Sequence, residues 1–219
     1  MLTTPLPRLR PAVWPPLVLT LMYTLAAAVG AVATGNGEFV FYVIVMAVLI
    51  GVVGVVHAQV NLSLGVLWCL AAWGAMHMAG GLVPVPEAWP IQGDIRVLYS
   101  WRFWPVGSEE FGLLKYDQFV HAFGFGTTTW VCWQGLAAAV GPRRPTLGLL
   151  MLCATAAMGF GALNEVVEFI ATLLGPTNVG GYINTGLDLV ANAAGAFVAA
   201  ILIAIGARRD GEPLADATA

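Results

Sequence analysis

Apolar residues fall in six long blocks along the chain, at about 17–34, 39–56, 62–80, 116–140, 146–174 and 182–206. An α-helix rises about 1.5 Å per residue, so a block of roughly 18 to 20 apolar residues spans the hydrocarbon core of a bilayer. Short breaks divide the blocks: Gly35-Asn36-Gly37, then His57-Ala58-Gln59-Val60-Asn61, Gly141-Pro142-Arg143-Arg144-Pro145, and Gly175-Pro176 leading to Gly180-Gly181. Such clusters punctuate helices rather than continue them. The pattern predicts an all-α protein, a polytopic membrane bundle of six transmembrane helices forming one domain over 17–206. A cytoplasmic N-terminal segment, 1–16, precedes it and a polar cytoplasmic tail, 207–219, follows. The first block follows Arg8 and Arg10 and ends Ala31-Val32-Ala33, as a signal peptide does. Its apolar core is longer than the usual 7 to 15 residues or so, and it is read as a retained span.

Residues 81–114 break the pattern. They hold four prolines, Trp89, Trp101 and Trp104, and the charged Glu87, Asp94, Arg96, Arg102, Glu109 and Glu110. Half-wet indole rings suit the headgroup zone of a bilayer, so a Trp-rich interfacial segment or lid is expected between helices three and four.

Composition supports the membrane reading: 59% of residues are hydrophobic and only 10% charged, far from a soluble domain. With basic pairs only at Arg143-Arg144 and Arg208-Arg209, nucleic acid is not an expected partner. Membrane lipid is one, and a homo-oligomer is compatible with the many small residues. Cys69, Cys132 and Cys153 lie inside apolar blocks without metal-type spacing and read as small packing residues. Arg8, Arg10, Arg143, Arg144, Arg208 and Arg209 fall on one side of a six-span arrangement, with Arg96, Arg102 and Lys115 on the other. The positive-inside rule then places both termini in the cytoplasm of a bacterial inner membrane.

That orientation gives depth to the polar residues of the last three blocks. His121 lies five residues into the fourth, Glu168 six before the end of the fifth and Asp188 six into the sixth. Each is roughly 8 to 9 Å below the outer boundary, so three helices bring polar groups to one level. Asp117 and His121 share a face at a spacing of four, Glu165 and Glu168 at three, and Asn184, Asp188 and Asn192 at four. His77, near the outer end of the third block, reaches the same level. Glu38, at the start of a helix, reads as a solvated acid, and His57, at a cytoplasmic helix end, as a structural residue.

Four carboxylates in a low-dielectric site need protons or a cation. Oxygen-rich ligation with imidazole suits a divalent metal such as Zn, Mn or Fe. The expected ligands are His121, Glu165, Glu168 and Asp188. Asp117 is a further ligand or the carboxylate that orients the histidine, and Asp117 and Glu165 are the candidate acid–base groups. His77, Asn184 and Asn192 are possible additions to the site, although asparagines in membrane helices also serve simply to join them. No Gly-x-Ser-x-Gly, His-Glu-x-x-His or phosphate-binding loop is present, and none of the three serines stands beside a histidine.

These motifs give the chain a family resemblance. Tyr116-Asp117-x-x-x-His121-x-Phe123, Glu165-x-x-Glu168-Phe169, Asp188 with Ala194-Gly195-Ala196, and Met76-His77 leading to Gly80-Gly81 and Val83-Pro84 resemble bacterial inner-membrane proteins of the YjdF type. More distantly they resemble VanZ-like proteins. The resemblance covers most of residues 60–205. It departs at Leu82-Val83-Pro84, where relatives carry His or Tyr, and at Gly181-Tyr182-Ile183-Asn184, where they have an aspartate-rich turn. It implies a membrane topology and, through the VanZ-like proteins, an envelope substrate. Three functions fit the residues: a divalent-metal-dependent membrane enzyme acting on a lipid or envelope molecule, a cation- or proton-coupled transporter, and a non-catalytic assembly or accessory protein.

Overall fold

A computed structural model describes residues 10–103, 114–141, 144–175, 177 and 181–209. Six long helices account for most of them: α1 Trp14–Ala33, α2 Gly37–Val60, α3 Leu64–Leu82, α4 Tyr116–Val140, α5 Leu147–Leu174 and α6 Tyr182–Arg209. No strand occurs among the described residues, only isolated bridges in the segment between α3 and α4. Five of the helices are long and apolar enough to cross a membrane. The exception is α4, which is as long as the others but carries Asp117, His121, three consecutive threonines and Gln134. It is also the most enclosed helix, packing against α3, α5 and α6.

Local chemistry sets the ends. Pro15 and Pro16 are tolerated in the first turn of α1, where the missing N–H groups have no helical partner anyway, so the helix starts earlier than its apolar block. Asn36, Ser63 and Thr146 cap α2, α3 and α5, each side chain accepting from a backbone N–H in the first turn. The expected break at His57 is corrected: α2 runs through His57 to Val60 and ends where Asn61 turns left-handed at φ 56°. A polar last turn does not stop a helix that is leaving the apolar zone. A residue that readily adopts the left-handed conformation does. Likewise Gly80 and Gly81 belong to α3.

The bundle inverts the solvent logic of a soluble protein. Leu21, Met22, Leu25 and Val29 of α1, Ile44, Val48 and Val52 of α2, and Val198, Ile201 and Leu202 of α6 point outward. Backbone polar groups are satisfied within the helices, as a hydrocarbon solvent requires. Inside, small residues allow close approach. A Cβ on Gly195 would run into the backbone of Ala122, and one on Gly126 would lie 3.0 Å from the Gly195 carbonyl, so α4 and α6 cross almost backbone to backbone. Thr127, Thr128 and Thr129 each donate 2.9 Å bonds to the carbonyl four residues earlier, which satisfies their hydroxyls within α4. Leu150, Ala154 and Ala157 of α5 pack with Ala196 and Ala200 of α6 to close this half of the bundle.

At the opposite end, where α2, α4 and α6 begin, the connection after α3 folds into a cap. One guanidinium nitrogen of Arg96 donates to the carbonyls of Pro86, Glu87 and Trp89 at 2.7, 2.7 and 2.9 Å, tying the turn together. Trp89 stacks on Trp101 with centroids 4.2 Å apart. Tyr116 N donates to the Trp101 carbonyl and Phe103 N to that of Leu114, seating the cap on the start of α4. Trp104, Glu109 and Glu110 of the expected lid, the residues 1–9 and 210–219, and Arg143 of the basic turn lie outside the described residues.

Candidate metal centre

The polar groups that share a level along three helices are in contact in three dimensions. His121 is almost wholly buried, and its Nδ1 faces Asn192 Oδ1 at 3.0 Å. An amide oxygen only accepts, so Nδ1 carries the proton and Nε2 presents a lone pair. Around Nε2 stand Asp117 Oδ1 at 3.7 Å and Glu168 Oε1 at 3.8 Å, while Glu165 Oε1 is 3.7 Å from Nδ1. Asp188 is fully buried beside them. Two overlapping sets, Asp117–His121–Asp188 and His121–Glu165–Glu168, each bring their ligand atoms within 4.8 Å of one another.

Each position has a reason in the sequence. The i, i+4 spacing puts Asp117 over His121, and the i, i+3 spacing puts Glu165 and Glu168 on the same face of α5. Asn192 reaches the histidine because α5 has a glycine opposite it: a Cβ on Gly161 would lie 2.6 Å from Asn192 Nδ2. The residue that orients the ring is therefore Asn192, from another helix, and Asp117 lies on the ligand side.

Most polar atoms of an interior find partners, because an unpaired one costs roughly 1 to 3 kcal/mol. Here His121 Nε2, Glu165 Oε1 and Oε2, Asp188 Oδ1 and Asn192 Nδ2 are buried without a hydrogen-bond partner. Thr185 and Asn164 lie near Glu165 without closing a bond to it. Unpaired lone pairs from three helices gather around one imidazole, and such a group could hold a cation. The donor set, oxygen with one imidazole nitrogen, fits Zn, Mn or Fe(II).

The remaining atoms are held. Asn164 Nδ2 donates to Glu168 Oε1 at 2.8 Å, and Asn184 Nδ2 donates to Asp188 Oδ2 at 2.5 Å and to Asp117 Oδ2 at 3.4 Å. Lys115, buried at the start of α4, donates to Asn184 Oδ1 and lies 3.4 Å from Asp117 Oδ2. All eight predicted residues, Asp117, His121, Glu165, Glu168, Asp188, His77, Asn184 and Asn192, belong to this neighbourhood.

His77 forms the other side. Its ring centroid is 6.3 Å from that of His121, and it pairs with Tyr99 from the cap. The Tyr99 hydroxyl donates to the His77 carbonyl at 3.0 Å, and its oxygen then accepts from His77 Nδ1. Burial, with the nearby Asp117 charge second, holds the Tyr99 phenol well above its ordinary value, so it stays a donor. Gly80 makes the room, since a Cβ there would meet the Tyr99 ring.

Sequence reasoning missed Tyr99, and it counted Lys115 only among the basic residues of the outer side. Tyr99 gave no signal, because it comes from an irregular segment. Lys115 could have been found as the one cation adjoining the Tyr116-Asp117 motif. Glu38 also departs from its expected solvated role: it is half-buried and lines a cavity beside the site.

That cavity has a volume of about 610 Å³. Asp117, Glu168, Asn184, Lys115 and His77 form its polar side, with cap residues Gln92 to Ile95 and Tyr99 over them. His121, Glu165, Asp188 and Asn192 lie behind this edge.

A family described as predicted membrane protein, DUF2238, matches residues 15–209. This is consistent with the resemblance to YjdF-type proteins. No curated protein and no solved structure matches the chain. A match over nearly the whole chain, on a bundle whose outward faces are apolar, identifies this protein as a member of the DUF2238 family of membrane proteins.

Proposed function

We propose that the protein is a divalent-metal-dependent membrane enzyme of the bacterial inner membrane. In this reading all six helices span the bilayer, α4 included, because α4 is shielded from lipid by its neighbours. Both termini are cytoplasmic and the site opens outward beneath the Trp-rich cap. One observation carries the proposal: buried lone pairs on His121, Glu165 and Asp188 lack partners and gather behind the Asp117–Glu168 edge of a cavity.

His121 Nε2, Glu165, Glu168 and Asp188 would hold the ion, which supplies Lewis acidity when bound. Asp117 takes the acid–base role. It faces the cavity, and its Oδ2 is already held by Lys115 and Asn184, which keeps Oδ1 aimed at the site. Glu165, the other candidate, does not line the cavity and serves better as a ligand. Asn192 fixes the imidazole tautomer, and Asn164 and Asn184 fix the carboxylates. The substrate is an envelope molecule that reaches the site from the outer leaflet.

Two observations favour an enzyme over a carrier. Below Asn192, Thr129, Ala154, Ala157 and Ala196 are fully buried and fill the space between α4, α5 and α6 at that level. None of the described helices is interrupted at mid-length, where many carriers build their sites.

The test is metal content of protein purified in mild detergent without chelator. Wild type and Asp117→Asn are expected to carry stoichiometric metal, and Glu168→Gln to lose it. Absence of metal from wild type would overturn the proposal. Proteoliposomes should show no cation-driven flux; uptake abolished by Asp188→Asn would transfer the site to a carrier.

A further inference from the structure

The cavity beside the metal centre has a second, apolar arm. Along α2, Tyr42, Val45, Met46 and Leu49 line it at helical spacing below Glu38. From Glu38 to Leu49 this face runs about 16 Å along the helix axis. Val167 of α5 stands on the opposite wall, next to Glu168. The arm is therefore a slot between α2 and α5, continuous at one end with the Asp117–Glu168 edge.

The slot is open sideways. Helix α2 packs on α1 and touches α4, but it has no extended interface with α5. Only Phe39 of its residues is buried, and its mean hydropathy of 3.0 is the highest of the five candidate spans. In a bilayer, a gap between apolar helices at this depth meets hydrocarbon chains, not water.

We propose that the slot is the entry and seat of a membrane lipid, with one acyl chain along α2 and its headgroup at the Asp117–Glu168 edge. This rests on the metal-enzyme reading and gives its substrate class: an amphiphile that arrives laterally from the outer leaflet. The geometry separates two tasks. Moving a chain from bilayer to slot exchanges one apolar surrounding for another and contributes little driving force. Selection comes from the headgroup, which meets Lys115, Asn184, His77 and the two carboxylates together. The cap residues Gln92 to Ile95 close over that polar end.

The experiment measures phospholipid retained by detergent-purified protein, by native mass spectrometry. Val45→Trp and Met46→Trp fill the slot, whereas Val48→Trp adds the same ring on the outward face of α2, where Val48 is 61% exposed. Wild type and Val48→Trp should retain phospholipid stoichiometrically, and the slot variants should retain about tenfold less. Metal content should be equal in all four. Equal lipid retention across the set, or none in wild type, overturns the slot. Lipid held in this pattern without metal would sink the metal reading and leave the slot standing. Metal without lipid would do the reverse. A phospholipid carrying a photoreactive group in its chain gives a second reading on unmodified protein: crosslinks should concentrate on residues 42–49 and on α5 near Val167, and an even spread over the outward helix faces contradicts the proposal.

Discussion

The two halves of the bundle handle polarity in opposite ways, although the same three helices, α4, α5 and α6, run through both. In the closed half, Thr127, Thr128 and Thr129 satisfy themselves against their own helix, and alanines and leucine fill the space between. In the capped half, carboxylates and an imidazole are buried with lone pairs left over. A membrane helix bundle can therefore bury polar side chains at little cost when their geometry is local. What distinguishes the capped half is that unpaired atoms of His121, Glu165 and Asp188, on three different helices, lie together, which stability alone does not favour. On the proposed function, the contrast is one between a packing role and a binding role within one fold.

The contrast breaks most completely at the crossing of α4 and α6. Gly195→Val would drive a branched side chain into the Ala122 backbone, which cannot yield as a side-chain tip can. Loss of the monodisperse folded species is expected on size exclusion. Next in size, Glu168→Gln and Asp188→Asn should weaken metal binding on the order of 100-fold or more, read by competition with a chelating dye, while the protein stays folded. Asn192→Ala leaves all ligands in place but frees the His121 ring, and should weaken metal binding about 10-fold to 100-fold. The smallest effect is expected in the closed half. Thr129→Val removes a bond worth about 1 kcal/mol or less and should leave metal affinity unchanged. An affinity loss there equal to that of Asn192→Ala would erase the distinction between the halves.

Much of this was legible in the sequence, for identifiable reasons. The spans of α4 and α5 lie close to their apolar blocks, with Thr146 capping α5, and α6 runs three residues beyond its block, to Arg209. The common level of His121, Glu168 and Asp188 follows from counting residues at a fixed rise. The shared faces of Asp117 with His121, of Glu165 with Glu168 and of Asn184, Asp188 and Asn192 follow from their spacings, whereas the meeting of the three faces does not. What was not legible depends on contacts distant in the chain. The seating of Tyr99 against His77 is made by an irregular segment, and the burial of Lys115 needs Asn184, 69 residues away. The length of α2 was misread because His57 and Gln59 are polar, whereas the Asn61 turn decides where it ends. The second arm of the cavity was not legible at all: Val45 and Met46 look like any lipid-facing residues until α5 is placed across from them.

On the proposed function, the capped half keeps its lone pairs for a cation. Thermal melting of wild type and Glu168→Gln, each with chelator and with saturating Mn²⁺ or Zn²⁺, tests it most directly. A ligand that binds only the folded state stabilises it by about 2.7 kcal/mol at a hundredfold excess over its dissociation constant, which is a shift of about 5 °C or more. The account predicts that shift for wild type and none for Glu168→Gln. With chelator, the variant should melt at or above wild type, because a buried carboxylate has been removed from among its like. The contradicting result is a wild type indifferent to cations, with Glu168→Gln melting lower under both conditions.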